Sequence, residues 1–234
     1  MPGVHFYELL TTTSLERARC FQRLPKGENP VSLVESVDFI RQWELENRRP
    51  LLDIQHAVRP EQFHFNGELV NETFQMKEDQ AKHLEDLKKK MPTKVKAFAE
   101  HCSQVPVRFP KLRNYRPGGA PSQIEEIQKR ICTDPEFVRG FYSGTLLGHT
   151  GPPPVHIDEQ WALFRWIQIR VIAALDYFRK YGDREMSSET TKIENEYLDL
   201  EYCLIGCLIG SIATRDNGMA KRFLALRPSG KVFS

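Results

Sequence analysis

Asp199-Leu-Glu-Tyr-Cys-Leu-Ile-Gly-Cys-Leu-Ile-Gly-Ser-Ile-Ala-Thr-Arg-Asp216 places two aspartates on either side of a run that is almost free of charge. A run of about a dozen such residues is too short to span a bilayer. It reads as a buried helix that ends near Gly210 and leads into a short buried strand over 211–214. The aspartates then sit at the edges of a core. Carboxylates there are costly to bury unless a cation meets them, so a metal ion is the first expectation for this pair.

Just upstream, Trp161, Phe164, Trp166, Ile167, Ile169, Ile172, Leu175 and Phe178 make residues 158–182 a helix that is apolar on most sides, closed near Gly182. Such a helix belongs at the centre of a fold. Further out the pattern is helical again: 8–24, 30–47, a thin-striped surface helix over 72–90, and 93–102. Ser122 and Glu125 form a capping-box signature for another helix that stops before Asp134-Pro135. Residues 50–72 and the proline-rich 105–121 read as loops, 148–154 as a hard break, and 219–226 as a last short helix.

Composition narrows the class without naming a function. The 234 residues suffice for a substantial core, and 40% hydrophobic with 27% charged is ordinary for a soluble globular chain. A net charge of +2 neither requires nor excludes a polyanionic partner. Five scattered cysteines with no C-x-x-C pair argue against a disulfide framework and a zinc site, and for a reducing compartment; Cys203 and Cys207 read as small core residues. The N-terminus has neither a basic n-region nor an apolar h-region, so the expected location is cytoplasmic, with no membrane contact. The seven histidines lack metal-ligand spacing, and H-E-x-x-H, phosphate-loop and G-x-S-x-G patterns are absent from the sequence.

Ligand sites in α/β folds lie beyond the carboxyl ends of strands, and Thr214-Arg-Asp216 occupies that position. A helix followed by an antiparallel strand doubles back, bringing Asp199 toward Asp216, with Asn195 and Glu196 on the same helical face as Asp199.

An Asp followed by an apolar helix, a short strand and Thr-x-Asp resembles the C-terminal half of PIN-like domains. The opening Met-Pro-Gly-Val-His-Phe-Tyr-Glu8-Leu-Leu looks like that family's strand running into a helix with an early Glu. The resemblance implies a helix-dominated α/β fold: a PIN-like short parallel sheet from residues 1–30 and 183–234, interrupted by a long, largely helical insertion over 31–182. It implies a metal-dependent endoribonuclease hydrolysing phosphodiesters with Mg²⁺ or Mn²⁺. The ligands would be Glu8, Asp199 and Asp216, with Thr214 at the family's hydroxyl position. The family's first strand and its Asp have no counterpart after Met1. Two expectations follow from that gap: a start placed too late on a working enzyme, or a truncated chain that has lost activity.

Each acid also has a plainer reading. Asp199 can be a helix-surface acid, Asp216 a turn residue in Asp-Asn-Gly, and Glu8 a first-turn acid favoured by the helix dipole. For RNA contact the candidate is Arg108-Phe-Pro-Lys111-Leu-Arg113-Asn-Tyr-Arg116, which interleaves cations for phosphates with aromatics for bases; the alternative is a solvated loop anchored by its aromatics. The competing function is a non-catalytic, mostly helical interaction module, with a protein partner or a second copy of itself.

Overall fold

A computed structural model of the chain describes residues 12–22, 34–51, 53–58, 73, 75, 77–115, 122–142, 156–182 and 190–233. In chain order these form α1 (Ser14–Gln22), α2 (Val37–Asn47), α3 (Glu78–Ser103), α4 (Val105–Arg108), α5 (Ser122–Thr133), α6 (Pro135–Arg139), α7 (Ala162–Tyr181), α8 (Thr190–Ile209), β1 (Ser211–Ala213), α9 (Asn217–Leu226) and β2 (Lys231–Phe233). Single 3-10 turns lie at Ile54–Ala57 and Pro110–Leu112. The fold is helix-dominated, with a short two-stranded parallel sheet. None of the described helices is long and apolar enough to cross a membrane.

Helix α7 is the axis. Every residue from Ala162 to Leu175 is buried, and α2, α3, α5, α8 and α9 all pack against it. A helix apolar around its circumference can only be satisfied by neighbours on all sides. Two of its polar residues are tied in by hydrogen bonds to the ends of neighbouring elements. Arg165 Nη1 donates to the Leu226 carbonyl at 2.9 Å, and Gln168 Nε2 to the Ile131 carbonyl at 2.8 Å. One continuous cluster of buried side chains extends from Val37 to Leu226, drawing on residues both before and after position 183.

Local chemistry sets the helix ends. Ser36 accepts the Phe39 N–H at 3.2 Å to start α2, so the helix expected from residue 30 begins at Val37. Val34 instead bridges Val58 in antiparallel fashion, inside a stretch read as loop. Asp134 accepts the Phe137 N–H at 3.1 Å and starts α6 with Pro135 at its first position. Helices expected to part near residues 90–93 are one, because α3 runs unbroken through Pro92. Proline costs about 3 kcal/mol inside a helix. Burial of Met91, Val95, Phe98 and Cys102 along one stripe of α3 offsets it, while Pro92 itself faces outward. Within the expected loop 105–121, α4 and the following turn bury Val105, Phe109 and Leu112.

Beyond α8 the chain reverses as its sequence suggests. Gly210, at φ 85°, ends the helix in a conformation open to glycine. Strand β1 then runs back along α8, where Tyr202 Oη donates to the Ala213 carbonyl at 2.6 Å and accepts the Ala213 N–H at 3.2 Å. Helix α9 crosses over to β2, which pairs in parallel with β1 through Ser211↔Lys231, Ile212↔Val232 and Ala213↔Phe233. The sequence pattern carried no sign of β2.

Candidate functional site

Of the acids in the PIN-like resemblance, Asp199 and Asp216 fall within the described residues. Glu8 lies outside the described residues, as does Arg116. Asp199 sits half-buried on α8, one turn before Cys203. Asp216 is the N-cap of α9: its Oδ1 accepts the Met219 N–H at 2.8 Å, and its own N–H donates to Thr214 Oγ1 at 3.0 Å. Glu196, on the Asp199 face, pairs with Arg222 at 2.6 Å. Among the described residues no group of three His, Cys, Asp or Glu side chains is placed to hold a metal ion. One Asp216 oxygen is committed to the cap, and Glu8, the third expected ligand of Mg²⁺ or Mn²⁺, lies outside the described residues.

A different assembly of charge lies where α2, α3, α7 and α8 meet. These helices enclose a cleft of about 670 Å³, walled by Asp38 and Arg41 from α2, Lys94 and His101 from α3, Trp166 and Arg170 from α7, and Tyr197 from α8. Arg108 of α4 closes one side. Packing explains the convergence. Met91, Val95, Phe98 and Cys102 hold α3 to the core, which leaves Lys94 and His101, on an adjoining stripe, facing the gap.

One part of the cleft is a chain of alternating charges. Asp38 binds Arg41 within its own helix and Lys94 Nζ at 2.7 Å, and Lys94 reaches Glu201 at 3.6 Å. Burial alone would raise the Asp38 pKa, but Arg41 and Lys94 outweigh it and hold the carboxyl below its ordinary value. Lys94 is affected in the opposite sense: burial pulls its pKa down, while Glu201 and Asp38 bring it above the ordinary range. Glu201 is almost wholly enclosed, and burial pushes its carboxyl up despite Lys94.

The other part is rich in donors. Arg170 lies over two aromatic rings, its guanidinium carbon 5.9 Å from the ring centres of both Phe98 and Trp166, and Nη2 donates to the Ala97 carbonyl at 3.4 Å. Burial lowers the Arg170 pKa to about 10, which leaves it charged at neutral pH. His101 is pushed down to about 3, first by burial and then by the positive charges of Arg170 and Arg108, so it is a neutral imidazole. Neither His101 ring nitrogen completes a hydrogen bond among the described residues, although the Arg170 backbone approaches it. The Trp166 Nε1–H is buried and likewise finds no acceptor among them. Arg41 also lies over the indole, 5.3 Å from the ring centre.

The basic segment proposed for RNA contact therefore divides. Arg108 belongs to the cleft wall, whereas Lys111 and Arg113 are exposed on the next turn, where Arg113 Nε donates to the Pro106 carbonyl at 3.4 Å. The segment's aromatics turn inward. Phe109 packs on Phe137 and Phe141, and Tyr115 on Phe178. Sequence reading missed Arg41, Lys94, His101 and Arg170 altogether. One signal was present: Arg165, Gln168 and Arg170 interrupt a helix otherwise too apolar to face water, and buried charges of that kind require a purpose or a partner. Comparison with family models, with curated proteins and with solved structures finds no match to this chain.

Proposed function

We propose that this protein binds a small anionic ligand in the cleft between α2, α3, α7 and α8. The observation that carries the reading is the wall itself: four cations, Arg41, Lys94, Arg108 and Arg170, against two lining carboxylates, Asp38 and Glu100, with Glu201 behind Lys94 as a third acid. Its volume of about 670 Å³ falls within the range of small-molecule sites, about 300–1,000 Å³. Low-dielectric walls strengthen each charge, and the Trp166 indole in the wall has a buried N–H with no acceptor among the described residues. The test is a titration with citrate, phosphate and acetate at constant ionic strength, read by calorimetry and thermal shift. Saturable binding that weakens at least about tenfold in R108Q supports the reading; tenfold corresponds to roughly 1.4 kcal/mol, well within the worth of a charged hydrogen bond. Affinity identical in R108Q, or none for any anion, overturns it.

A second reading, the PIN-like RNA hydrolase, is favoured by the parallel pairing of β1 with β2 and by Thr214 and Asp216 beyond the carboxyl end of β1. Its test is cleavage of a mixed-sequence single-stranded RNA in Mg²⁺ or Mn²⁺ by the wild type, D199N and D216N. Cleavage lost in both variants supports it. No cleavage by the wild type, or cleavage indifferent to D199N, removes it.

A further inference from the structure

We infer that the anionic group taken by the cleft is the carboxylate of a free α-amino acid, held at Arg108, with the ammonium of the same molecule turned to Glu100. The inference rests on the cleft reading above and adds the chemistry of the ligand.

The balance of charge around the wall leads to it. Arg41 and Lys94 share Asp38, and Lys94 also meets Glu201. Arg170 is engaged as well, since it donates to the Ala97 carbonyl and feels Tyr197 and Asp38. Two charged side chains of the wall remain, Arg108 and Glu100. Among the described residues neither side chain has an ion-pair or hydrogen-bond partner. Burial lowers the Arg108 pKa, and no acid acts against it. One open cation and one open anion on the same cavity suit a ligand that carries both signs.

The buried neutral groups match such a molecule. Trp166 and His101 line the cleft, are only 1% and 6% exposed, and have ring nitrogens without hydrogen-bond partners among the described residues. The indole N–H can only donate, which suits a carboxylate oxygen. A neutral imidazole keeps one N–H and one bare nitrogen. The Arg170 backbone favours the proton on the nitrogen it approaches, so the other nitrogen is an acceptor. A simple anion has no proton to give that acceptor, whereas an ammonium has three.

Neither charge of the ligand would be welcome alone. Burial first, and then the positive charges of Arg170 and Arg108, keep a proton off His101, and the same surroundings oppose a lone ammonium. Glu100 in turn opposes a lone carboxylate. An amino acid brings each charge with its counter-charge attached. A cavity of about 670 Å³ leaves room for a side chain beside Thr93 and the Asp38–Lys94 pair.

The experiment is isothermal titration of the full chain with serine, glutamine, acetate and methylammonium at constant ionic strength, in the wild type, R108Q and E100Q. The two amino acids are expected to bind at least about tenfold more tightly than acetate or methylammonium. R108Q is expected to weaken the amino acids and acetate alike by about tenfold or more. E100Q is expected to weaken the amino acids by about threefold or more while acetate binds no less tightly than before. Arg108 is part-exposed and Glu100 exposed, so neither substitution disturbs the core. Acetate matching the amino acids, with R108Q weakening all alike, leaves the anion cleft standing and removes the amino-acid assignment. Amino-acid affinity indifferent to E100Q overturns the inference in the same way. Methylammonium binding as tightly as the amino acids, or no binding by any of the four, removes both.

Discussion

Glu44 of α2 caps the central helix from across the fold: its Oε2 accepts the Leu163 N–H at 2.9 Å over a separation of 119 positions. Its Oε1 accepts the Ala162 N–H at 2.8 Å and the Leu51 N–H at 3.1 Å. Trp161, the N-cap residue of α7, makes no side-chain cap bond, so Glu44 supplies what the local sequence lacks. Burial raises the Glu44 pKa, and the three amides counter part of that rise. E44A strands buried amide donors at about 1–3 kcal/mol each. We expect E44A to lose about 3 kcal/mol in urea unfolding and E44Q less, because a glutamine oxygen still accepts. A loss below about 0.5 kcal/mol in E44A rejects the capping role.

Arg222 joins three elements. Its Nη2 lies 2.6 Å from Glu196 on α8 and 3.4 Å from Asp176 on α7, with only 9% of the side chain exposed. Burial alone would lower its pKa, but Glu196 and Asp176 raise it above the ordinary value. Asp176 has further partners in Arg179 and Gln128, so Glu196 is the acid left exposed to the loss. R222M should destabilise by about 3 kcal/mol, the usual result of breaking one side of a buried pair. Adding E196Q should restore a measurable part of it. Equal stability of the single and double variants sinks the argument.

His101 makes stability fall in mild acid. Its folded pKa of about 3 lies below the ordinary 6.5, so the folded chain binds the proton more weakly than the unfolded one. The His101 contribution is therefore complete above pH 6.5 and is lost as pH falls from 6.5 toward 3. Burial opposes protonation first, and the positive charges of Arg170 and Arg108 add to it. Wild-type stability should drop by on the order of 3 kcal/mol between pH 6.5 and 4 through this residue alone. H101L should flatten that slope in denaturant titrations at several pH values; an unchanged slope means the histidine is not buried as a neutral base.

Asp216 allows capping to be separated from catalysis. Losing the bond to the Met219 N–H in D216A should cost about 1 kcal/mol, while D216N, an equally good cap, should melt within a few tenths of a kcal/mol of the wild type. A D216A variant as stable as the wild type shows that the cap contributes nothing. Because D216N removes the carboxylate and keeps the cap, RNA cleavage lost in D216N cannot be ascribed to unfolding.

Much of the architecture was legible because it is written in series. Trp161 to Phe178 is apolar on nearly every side, and that periodicity needs no knowledge of neighbours to predict a central helix. Gly210 and the apolar Ile212 announced the end of α8 and the strand after it. Pro92 misled because a single breaker is weighed against a buried stripe whose worth depends on what faces it. The three-residue β2 is too short to show a period, and it forms because β1 offers it hydrogen bonds.

The sequence by itself determined the helical class, the central α7 and the reversal from α8 into β1, since each follows from the residues of one segment and the geometry they favour. Only the tertiary structure decided where the charges meet. Asp38, Lys94, His101, Arg170 and Glu201 stand on four helices, and the pattern of no single helix tells which of them meet. Their consequences arise from burial and from pairing across space, and electrostatic energy depends on distance and on the surrounding medium, which the order of residues along a chain does not contain.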